Sequence, residues 1–529
     1  MRQTSHLSLL SALACLTGGA AFAQQPMSAI DWLDTPPAQT DADGGNAPSP
    51  VWQQLSDILG DTPQDDEPRG PDTSVPQVVV EPLGGSNPDA VGLLAPSTTG
   101  LPLSLWQMSD TDTLIAYLST LPADPLPALR SLYYTLLLAE ADAPSGAGHT
   151  ARFLQARIDA LVAYGAVAQA YALLERAGPS RPQLFDRWLD LSILIGDEAP
   201  ACMALSQRPD LSNDYTKRIF CAARAGDWPT AALTYEAATA IGAVSGTEST
   251  LLASYLDPGL IDTMPDVPLP RHVTPVVFKL FEAAGTPLPT RQLPRAFAMA
   301  DLRGNSGWKA EIEAAERLTR TRALPANRLL GYYSAHKAAA SGGVWDRVDA
   351  IQKLDAALQA DDAQGIAQIL PTAWDYMHGE RLGISFAELF GQQLAETNLP
   401  GDAGALAFRI GLLSPDYETI ADMRAAATDE ETFLISLAQG RVRAAFAETP
   451  LQVAIAKAFA ARGPNPEYNP YLDRGQLGEV ILSAARILDE AHTGDLSSIG
   501  KALRTLRAVG LEDTARRAAL QLLLLEPSV

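Results

Sequence analysis

The sequence predicts an all-α fold: a right-handed superhelix of stacked antiparallel helix hairpins (an α-solenoid), preceded by a disordered acidic tail. Hydrophobic residues make up 47% of the chain and aromatic residues only 7%. The core is therefore built mostly of Ala and Leu, which favours close-packed helices over sheets. From residue 101 onward apolar residues recur at helical spacing. Glycines follow these periodic stretches, at the positions where left-handed helix caps belong.

Residues 1–23 have the pattern of a secretory signal peptide. Arg2 supplies the positive end, residues 7–16 form a short apolar run, and Ala21-Phe22-Ala23 is a small-residue cleavage site. The alternative is a lipoprotein signal in which Cys15 is acylated. We expect cleavage after Ala23 and a mature protein in the bacterial periplasm. No later stretch is long and apolar enough to span a bilayer, so we expect no transmembrane segment.

Residues 24–100 are predicted to form the disordered tail. They contain twelve acidic residues and a single basic one, Arg69, among many Pro, Gly and Ser residues. Such a composition cannot bury enough apolar surface to offset the entropy lost on ordering. Short apolar islands interrupt the tail, and they supply the residues predicted to bind a partner: Ile30, Trp32, Leu33, Trp52, Leu55 and Leu59.

Two interpretations of these islands are open. The apolar residues of 50–60 fall at helical spacing, and residues 77–81 (QVVVE) are prone to form a strand. One interpretation is docking to another protein, as a helix in a groove or as an added strand. The other is that the islands pack on the solenoid of the same chain.

The body, residues 101–529, is predicted to be one run of helices. The predicted helices of its first part are 109–121, 127–137, 149–163, 167–177, 183–195, 198–206, 212–225 and 229–241. Those of its second part are 275–284, 295–302, 307–320, 325–340, 345–359, 362–377, 385–397, 402–412, 430–439, 441–447, 451–462, 476–492, 495–509 and 511–525. Proline is frequent in 257–294, which indicates a bend within the superhelix or a domain boundary; we favour the bend. Residues 463–475 are predicted to be a polar loop.

Two predicted hairpins share a pattern of small and bulky residues. Gly226 is followed by Ala231, Tyr235 and Ala238, at five, nine and twelve positions. The earlier copy begins at Gly165 and has Ala170, Leu174 and Ala177 at the same positions. The body therefore resembles tetratricopeptide-like solenoids, although the glycines are 61 residues apart, which is not a multiple of that family's 34-residue period. The first helices also lack the family's Leu-Gly-Tyr signature. The resemblance implies stacked helix pairs.

Two cysteines follow the signal peptide, Cys202 and Cys221. If 197–207 and 212–225 are antiparallel helices, both cysteines lie at the same end of the pair, and a disulfide is possible in an oxidising compartment. The alternative is two buried thiols that pack as small apolar groups.

The sequence contains few signs of catalytic chemistry. It has no phosphate-binding loop, dinucleotide-binding glycine motif, GxSxG, HExxH or CxxC motif, so we expect no cofactor and no metal. The formal charge of −23 becomes −24 without Arg2, and such a protein repels nucleic acid. The densest polar group is Asp375, His378 and Glu380. Asp375 and His378, three residues apart, could be two metal ligands or an acid–base pair. The alternative, which we favour, is that the group is the polar end of a helix.

The expected function is that of a periplasmic protein–protein interaction scaffold whose partners are other envelope proteins or peptides, and we expect no enzymatic activity. The alternative is a glycan-acting enzyme or a glycan-binding module of the cell wall. Soluble lytic transglycosylases also contain helical superhelices, and Glu248-Ser249 matches the start of their catalytic motif. The Gly-Leu-Met-Gln segment that follows in that family is missing from this sequence.

Overall fold

A computed structural model describes residues 87–525 except 149, 264–266, 339 and 492–493. Within these residues the fold is all-α, with 25 α-helices, short 3-10 turns and no β-strand. The first helices are α1 Pro96–Thr99, α2 Thr111–Ser119, α3 Pro127–Leu138, α4 Arg152–Tyr164, α5 Val167–Ala177, α6 Pro182–Ile195, α7 Ala199–Gln207, α8 Tyr215–Arg224, α9 Trp228–Ala240, α10 Gly246–Leu256, α11 Pro275–Ala283 and α12 Ala298–Asp301. The remaining helices are α13 Trp308–Thr319, α14 Ala326–Ser334, α15 Val344–Gln359, α16 Ala363–Gly379, α17 Gly383–Glu396, α18 Gly401–Gly411, α19 Tyr417–Met423, α20 Asp429–Ala438, α21 Pro450–Ala460, α22 Asn469–Asp473, α23 Leu477–Ala491, α24 Leu496–Ala508 and α25 Glu512–Leu524.

The helix ends follow from local sequence. The Asp110 carboxylate accepts a hydrogen bond from the Thr113 amide at the start of α2, and Thr449 forms a capping box with Gln452 at the start of α21. Gly165 ends α4 in the left-handed conformation, with a φ of 83°, as the sequence predicted.

The structure differs from the predicted helices in several places, and the 11-residue helix α10, Gly246–Leu256, lies where no helix was predicted. The predicted helix 441–447 is only a 3-10 turn, Ala444–Phe446. Helix α19 was not predicted, because seven residues are too few to establish a helical period. The predicted polar loop 463–475 contains α22, and the Tyr468 side chain beside it is buried.

Consecutive helices pack against one another in pairs, for example α4 with α5, α8 with α9, α15 with α16, and α23 with α24. The small residues of the repeated pattern lie in these contacts. Ala170, Ala231 and Ala238 are fully buried, so two helix backbones approach closely there. The packing in pairs agrees with the predicted all-α fold.

The folded part of the chain begins earlier than the predicted boundary at residue 100. The Asp89 carboxylate is buried and accepts a hydrogen bond from the Leu154 amide (2.7 Å) at the start of α4. The buried guanidinium of Arg157 donates to the carbonyl oxygens of Val91, Leu137 and Ala139, at 2.7 to 2.9 Å. Residues 87–95 are therefore held against α3 and α4, and the prediction of a tail up to residue 100 is wrong for 87–100.

The first and last parts of the described chain are in direct contact. Helix α25 packs against α3, and α23 packs against α2 and α3. Asp489 Oδ1 accepts a hydrogen bond from the Leu126 amide (2.8 Å), and Gln521 Oε1 accepts one from the Ala128 amide (2.8 Å). These pairs are 363 and 393 residues apart in sequence.

Glycine is required at position 478, at the start of α23. A Cβ atom there would lie 2.3 Å from the ring of Trp106, which is itself buried against Phe153 with a centroid distance of 5.4 Å. The missing side chain thus lets α23 approach the N-terminal part of the body.

The proline-rich stretch 257–294 contains α11, which packs against α10 and α6. The ring of Phe278 on α11 lies 5.3 Å from the ring of Phe297 beyond the stretch. Buried apolar side chains on both sides belong to one core, which extends from Leu94 to Leu522. The described residues before and after this stretch therefore share one hydrophobic core.

Candidate functional site

The residues predicted to bind a partner, Ile30, Trp32, Leu33, Trp52, Leu55 and Leu59, lie outside the described residues. Their role stays a prediction. The described part of the chain contains other candidate sites.

The structure joins Cys202 on α7 and Cys221 on α8 in a disulfide, with the two Cα atoms 4.7 Å apart. Both cysteines are buried. The bond links two consecutive helices, so it fixes a local hairpin and carries no chemistry of its own toward a ligand.

The polar group Asp375, His378 and Glu380 does not form a joint site. Asp375 is exposed, His378 Nε2 lies 2.9 Å from the Leu525 carbonyl oxygen, and the His378 ring stacks on Trp374 at 5.3 Å. The Glu380 carboxylate pairs with guanidinium groups instead, which are those of Arg320 and Arg347. Within the described residues no cluster of three His, Cys, Asp or Glu side chains has the arrangement of a metal site.

Glu380 belongs to a charged network that connects α13, α14 and α15 with the end of α16. Its centre is Glu316, which is buried and accepts hydrogen bonds from Arg347 Nε (2.9 Å), Arg347 Nη2 (2.7 Å) and the Tyr333 hydroxyl (2.8 Å). Burial, and then the Glu316 charge, raise the pKa of Tyr333 well above its ordinary value. Because Glu316 and Glu380 are both paired with guanidinium groups, the network acts as a structural connection between helices.

Glu248 and Ser249 lie in the first turn of α10. Glu248 accepts a hydrogen bond from the Thr216 hydroxyl (2.9 Å), and the Ser249 hydroxyl lies 3.0 Å from the Tyr235 hydroxyl. Both side chains thus connect neighbouring helices, and the pair has no second carboxylate among these contacts for glycoside hydrolysis.

Helix α9 presents an apolar face to solvent, which we call the α9 face. The exposed fractions are 69% for Leu233, 68% for Ile241 just beyond the helix and 47% for Trp228. The other exposed residues of α9 are Pro229, Thr230, Ala232, Glu236, Ala237, Thr239 and Ala240, so two uncharged threonines lie among the apolar side chains. Glu236 is the one charged residue in this set.

The local sequence fixes the position of the α9 face. The Asp227 carboxylate caps α9 by accepting a hydrogen bond from the Thr230 amide, and Gly242 follows the helix with a φ of 72°. Only Ala231 and Ala238 of the helix are buried, so contact with α8 is limited to one narrow stripe. Trp228 lies against Tyr255 of α10 (6.5 Å between ring centroids), which holds the indole at the edge of the face.

The second candidate is a groove of about 670 Å³ between α21 and α24, which we call the α21–α24 groove. Its walls carry small and apolar residues, including Val453, Ala454, Ala458, Leu496 and Gly500. Gly500 lies close to the other helix, since a Cβ there would be 3.8 Å from the Ala454 carbonyl oxygen. Val453 is 36% exposed, so the groove has an apolar surface open to solvent.

The charged residues that line the α21–α24 groove are mostly basic. Lys457, Lys501 and Arg504 line it, against one acidic residue, Glu448. Both lysines are exposed, and the charge of Lys501, after the hydrogen bonds from Ser498, helps to lower the pKa of the nearby Asp495 carboxyl. Arg504 is anchored by hydrogen bonds from Nε and Nη2 to the Gly463 and Arg462 carbonyl oxygens (2.8 and 2.9 Å).

Comparisons with protein-family models, curated proteins and solved structures found no match for this chain. Across the described ranges, no helix combines the length and the apolar character needed to cross a membrane. The function is therefore inferred from the surfaces of the molecule itself.

Sequence reasoning did not identify either surface. The pattern of Gly226, Ala231, Tyr235 and Ala238 predicts how α9 packs against its neighbour, but it does not predict which side of the helix stays uncovered. The signal that was available is the near absence of charge from Trp228 to Ala240, where Glu236 is the only ionisable acid or base besides Tyr235. The α21–α24 groove depends on two helices that are far apart in sequence, so no local pattern predicts it.

Proposed function

We propose that this chain is a periplasmic protein–protein interaction scaffold, built as a superhelix of helix pairs that curves until its ends meet. The observation that supports it most directly is the α9 face. Soluble monomers rarely leave a continuous apolar surface exposed unless it binds a partner. A rigid array of helices also presents such a face without the entropy cost of ordering a loop.

The partner of the α9 face is a protein that offers an apolar surface, such as one side of an amphipathic helix. Covering an aliphatic side chain contributes about 1.5 to 3 kcal/mol at full burial. Leu233 and Ile241 are each more than two-thirds exposed, so a partner that covers both gains most of that amount at each position. Protein interfaces are depleted of charge at their centres, which fits a face with Glu236 as its only charge.

The periplasmic location is supported by the signal-peptide pattern of residues 1–23 and by the Cys202–Cys221 disulfide, since disulfides persist in oxidising compartments. The high acidic charge of the chain disfavours nucleic acid as a partner. The island with Ile30, Trp32 and Leu33 is proposed as a second attachment point for an envelope protein or peptide.

The test is affinity capture of the tagged full-length protein from its own periplasm, with wild type beside the double variant Leu233→Glu/Ile241→Glu. We expect the double variant to lose at least 90% of a specific set of co-purifying proteins, because each substitution places a charge at the centre of the apolar interface. Quantitative mass spectrometry of the captured proteins provides the measurement.

The matched control is Leu103→Glu, since Leu103 is a similarly exposed leucine (51%) outside α9. Capture should be unchanged in this variant. Identical captured sets in the wild type and the double variant would refute the role of the α9 face. If the double variant changes only self-association in sedimentation analysis, the occupant is a second copy of the chain and the scaffold proposal fails at this surface.

A further inference from the structure

The α21–α24 groove is basic in a strongly acidic protein. The whole chain has 62 acidic and 39 basic residues, yet three of the four charged residues that line the groove are basic. The chain contains seven lysines, and two of them, Lys457 and Lys501, are exposed along this groove. Such a site attracts an acidic occupant.

The floor of the groove is suited to bulky apolar side chains. Ala454, Ala458 and Gly500 carry little or no side chain, so the surface between the two helices is hollow. Val453 and Leu496 flank the hollow as the larger apolar residues of its walls. An occupant that fits combines large apolar residues with carboxylates.

Residues 51–67 of this chain, which lie outside the described residues, have this composition. Their sequence is VWQQLSDILGDTPQDDE, with Trp52, Leu55 and Leu59 at helical spacing. It contains five acidic residues and no basic residue. The island of Ile30, Trp32 and Leu33 is shorter and is followed by only one acid before a pair of prolines, so it fits the groove less well.

We propose that residues 51–67 occupy the α21–α24 groove of their own chain. The apolar side chains of Trp52, Leu55 and Leu59 lie on the floor, and the following carboxylates lie against Lys457 and Lys501. Nine residues in helical form, 51–59, are about 13 Å long, which is shorter than the roughly 16 Å of the 11-residue helix α21. The groove is therefore long enough for the whole island.

The connection to the described part of the chain permits this arrangement. Residues 87–95 are held at the end of α3, α3 packs against α25, and α25 packs against α24. Two helix–helix spacings of about 8–10 Å thus separate α3 from α24. The twenty residues from Glu67 to Asn87 extend to about 65 Å, which is ample for this path.

The test is zero-length carbodiimide crosslinking of the purified full-length mature protein, followed by mass spectrometry. The reagent joins a carboxylate to a lysine amine only where the two are in contact. We expect the acidic residues of 57–67 to be crosslinked to Lys457 and Lys501 at least tenfold more often than to Lys309 and Lys353. Those two lysines are the reference because their side chains are 61% and 62% exposed.

Variants and isotope labelling make the test specific. The substitutions Trp52→Ala/Leu55→Ala should lower the crosslinks to the groove at least fivefold, whereas Trp32→Ala/Leu33→Ala should leave them unchanged. A mixture of light and ¹⁵N-labelled protein should give crosslinks within one chain only.

Equal crosslinking to all exposed lysines would overturn the proposal, and so would crosslinks that join light to heavy chains, since the occupant would then be a second copy. The experiment uses the purified protein alone, so its outcome is independent of whether an envelope partner binds the α9 face.

Discussion

At the scale of single residues, a buried lysine on α8 pairs with two carboxylates on α6, and the two carboxylates differ in how well they are hydrogen-bonded. Lys217 of α8 is buried, and its Nζ lies 3.0 Å from Asp190 Oδ1 and 3.3 Å from Asp186 Oδ1 of α6. The Ser212 hydroxyl donates to Asp186 at 2.6 Å, whereas the buried Oδ1 of Asp190 has no hydrogen bond of good geometry. Burial outweighs the attraction of Lys217 and raises the pKa of Asp190 to about 6.

This raised pKa predicts a pH dependence with a definite sign. Between pH 4 and pH 6 the folded state keeps the Asp190 proton while the unfolded state loses it, so folding stability falls as the pH rises. About a third of the Asp190 side chain is exposed, so solvent screening reduces the effect to roughly 1–2 kcal/mol. We expect the stability of wild type relative to Asp190→Asn to decrease by this amount from pH 4 to pH 6.5, measured by urea unfolding. A relative stability that increases over this range would contradict the prediction.

At the scale of helices, the sequence predicted most element boundaries to within a few residues. Left-handed glycines such as Gly165 and Gly196 mark helix ends through their own backbone preference, so they are visible in a single sequence. The short helices α19 and α22 were missed because their stability comes from distant contacts, and the longer helix α10 was missed as well. Tyr468 beside α22, for example, is buried and lies 3.3 Å from the Ser483 hydroxyl of α23.

The disulfide gives a prediction for the hairpin of α7 and α8. It closes a loop of 19 residues, and a cross-link of that span is expected to stabilise the hairpin by about 3 kcal/mol. In Cys202→Ala/Cys221→Ala we expect the amides of α7 and α8 to exchange with deuterium roughly a hundredfold faster, with little change in α15 and α16. Reduced wild-type protein is the control and should behave alike. Unchanged exchange in α7 and α8 would show that packing alone fixes the hairpin.

At the scale of the whole molecule, what the sequence could not predict is which helices meet when the chain is folded. The repeated pattern from Gly226 to Ala238 indicates that helices pair with their neighbours, because it encodes contacts within one hairpin. It contains no information on contacts such as that between α25 and α3. The uncovered side of α9 escaped prediction for the same physical reason, since exposure depends on where all other helices lie.

Contact between the two ends of the described body predicts a response at long range. Gln521 on α25 supplies the acceptor for the Ala128 amide in the first turn of α3, where the helix itself provides none. Leaving a buried amide without a partner costs about 1–3 kcal/mol. In Gln521→Ala we therefore expect the amides at the start of α3, 393 residues away in sequence, to exchange with deuterium about five- to hundredfold faster. Gln392→Ala is the control, because Gln392 is exposed and its side chain donates a hydrogen bond to Glu396 on its own helix. Faster exchange in α25 alone, with α3 unchanged, is the result expected of an open array whose ends do not touch, and it would contradict the closed arrangement.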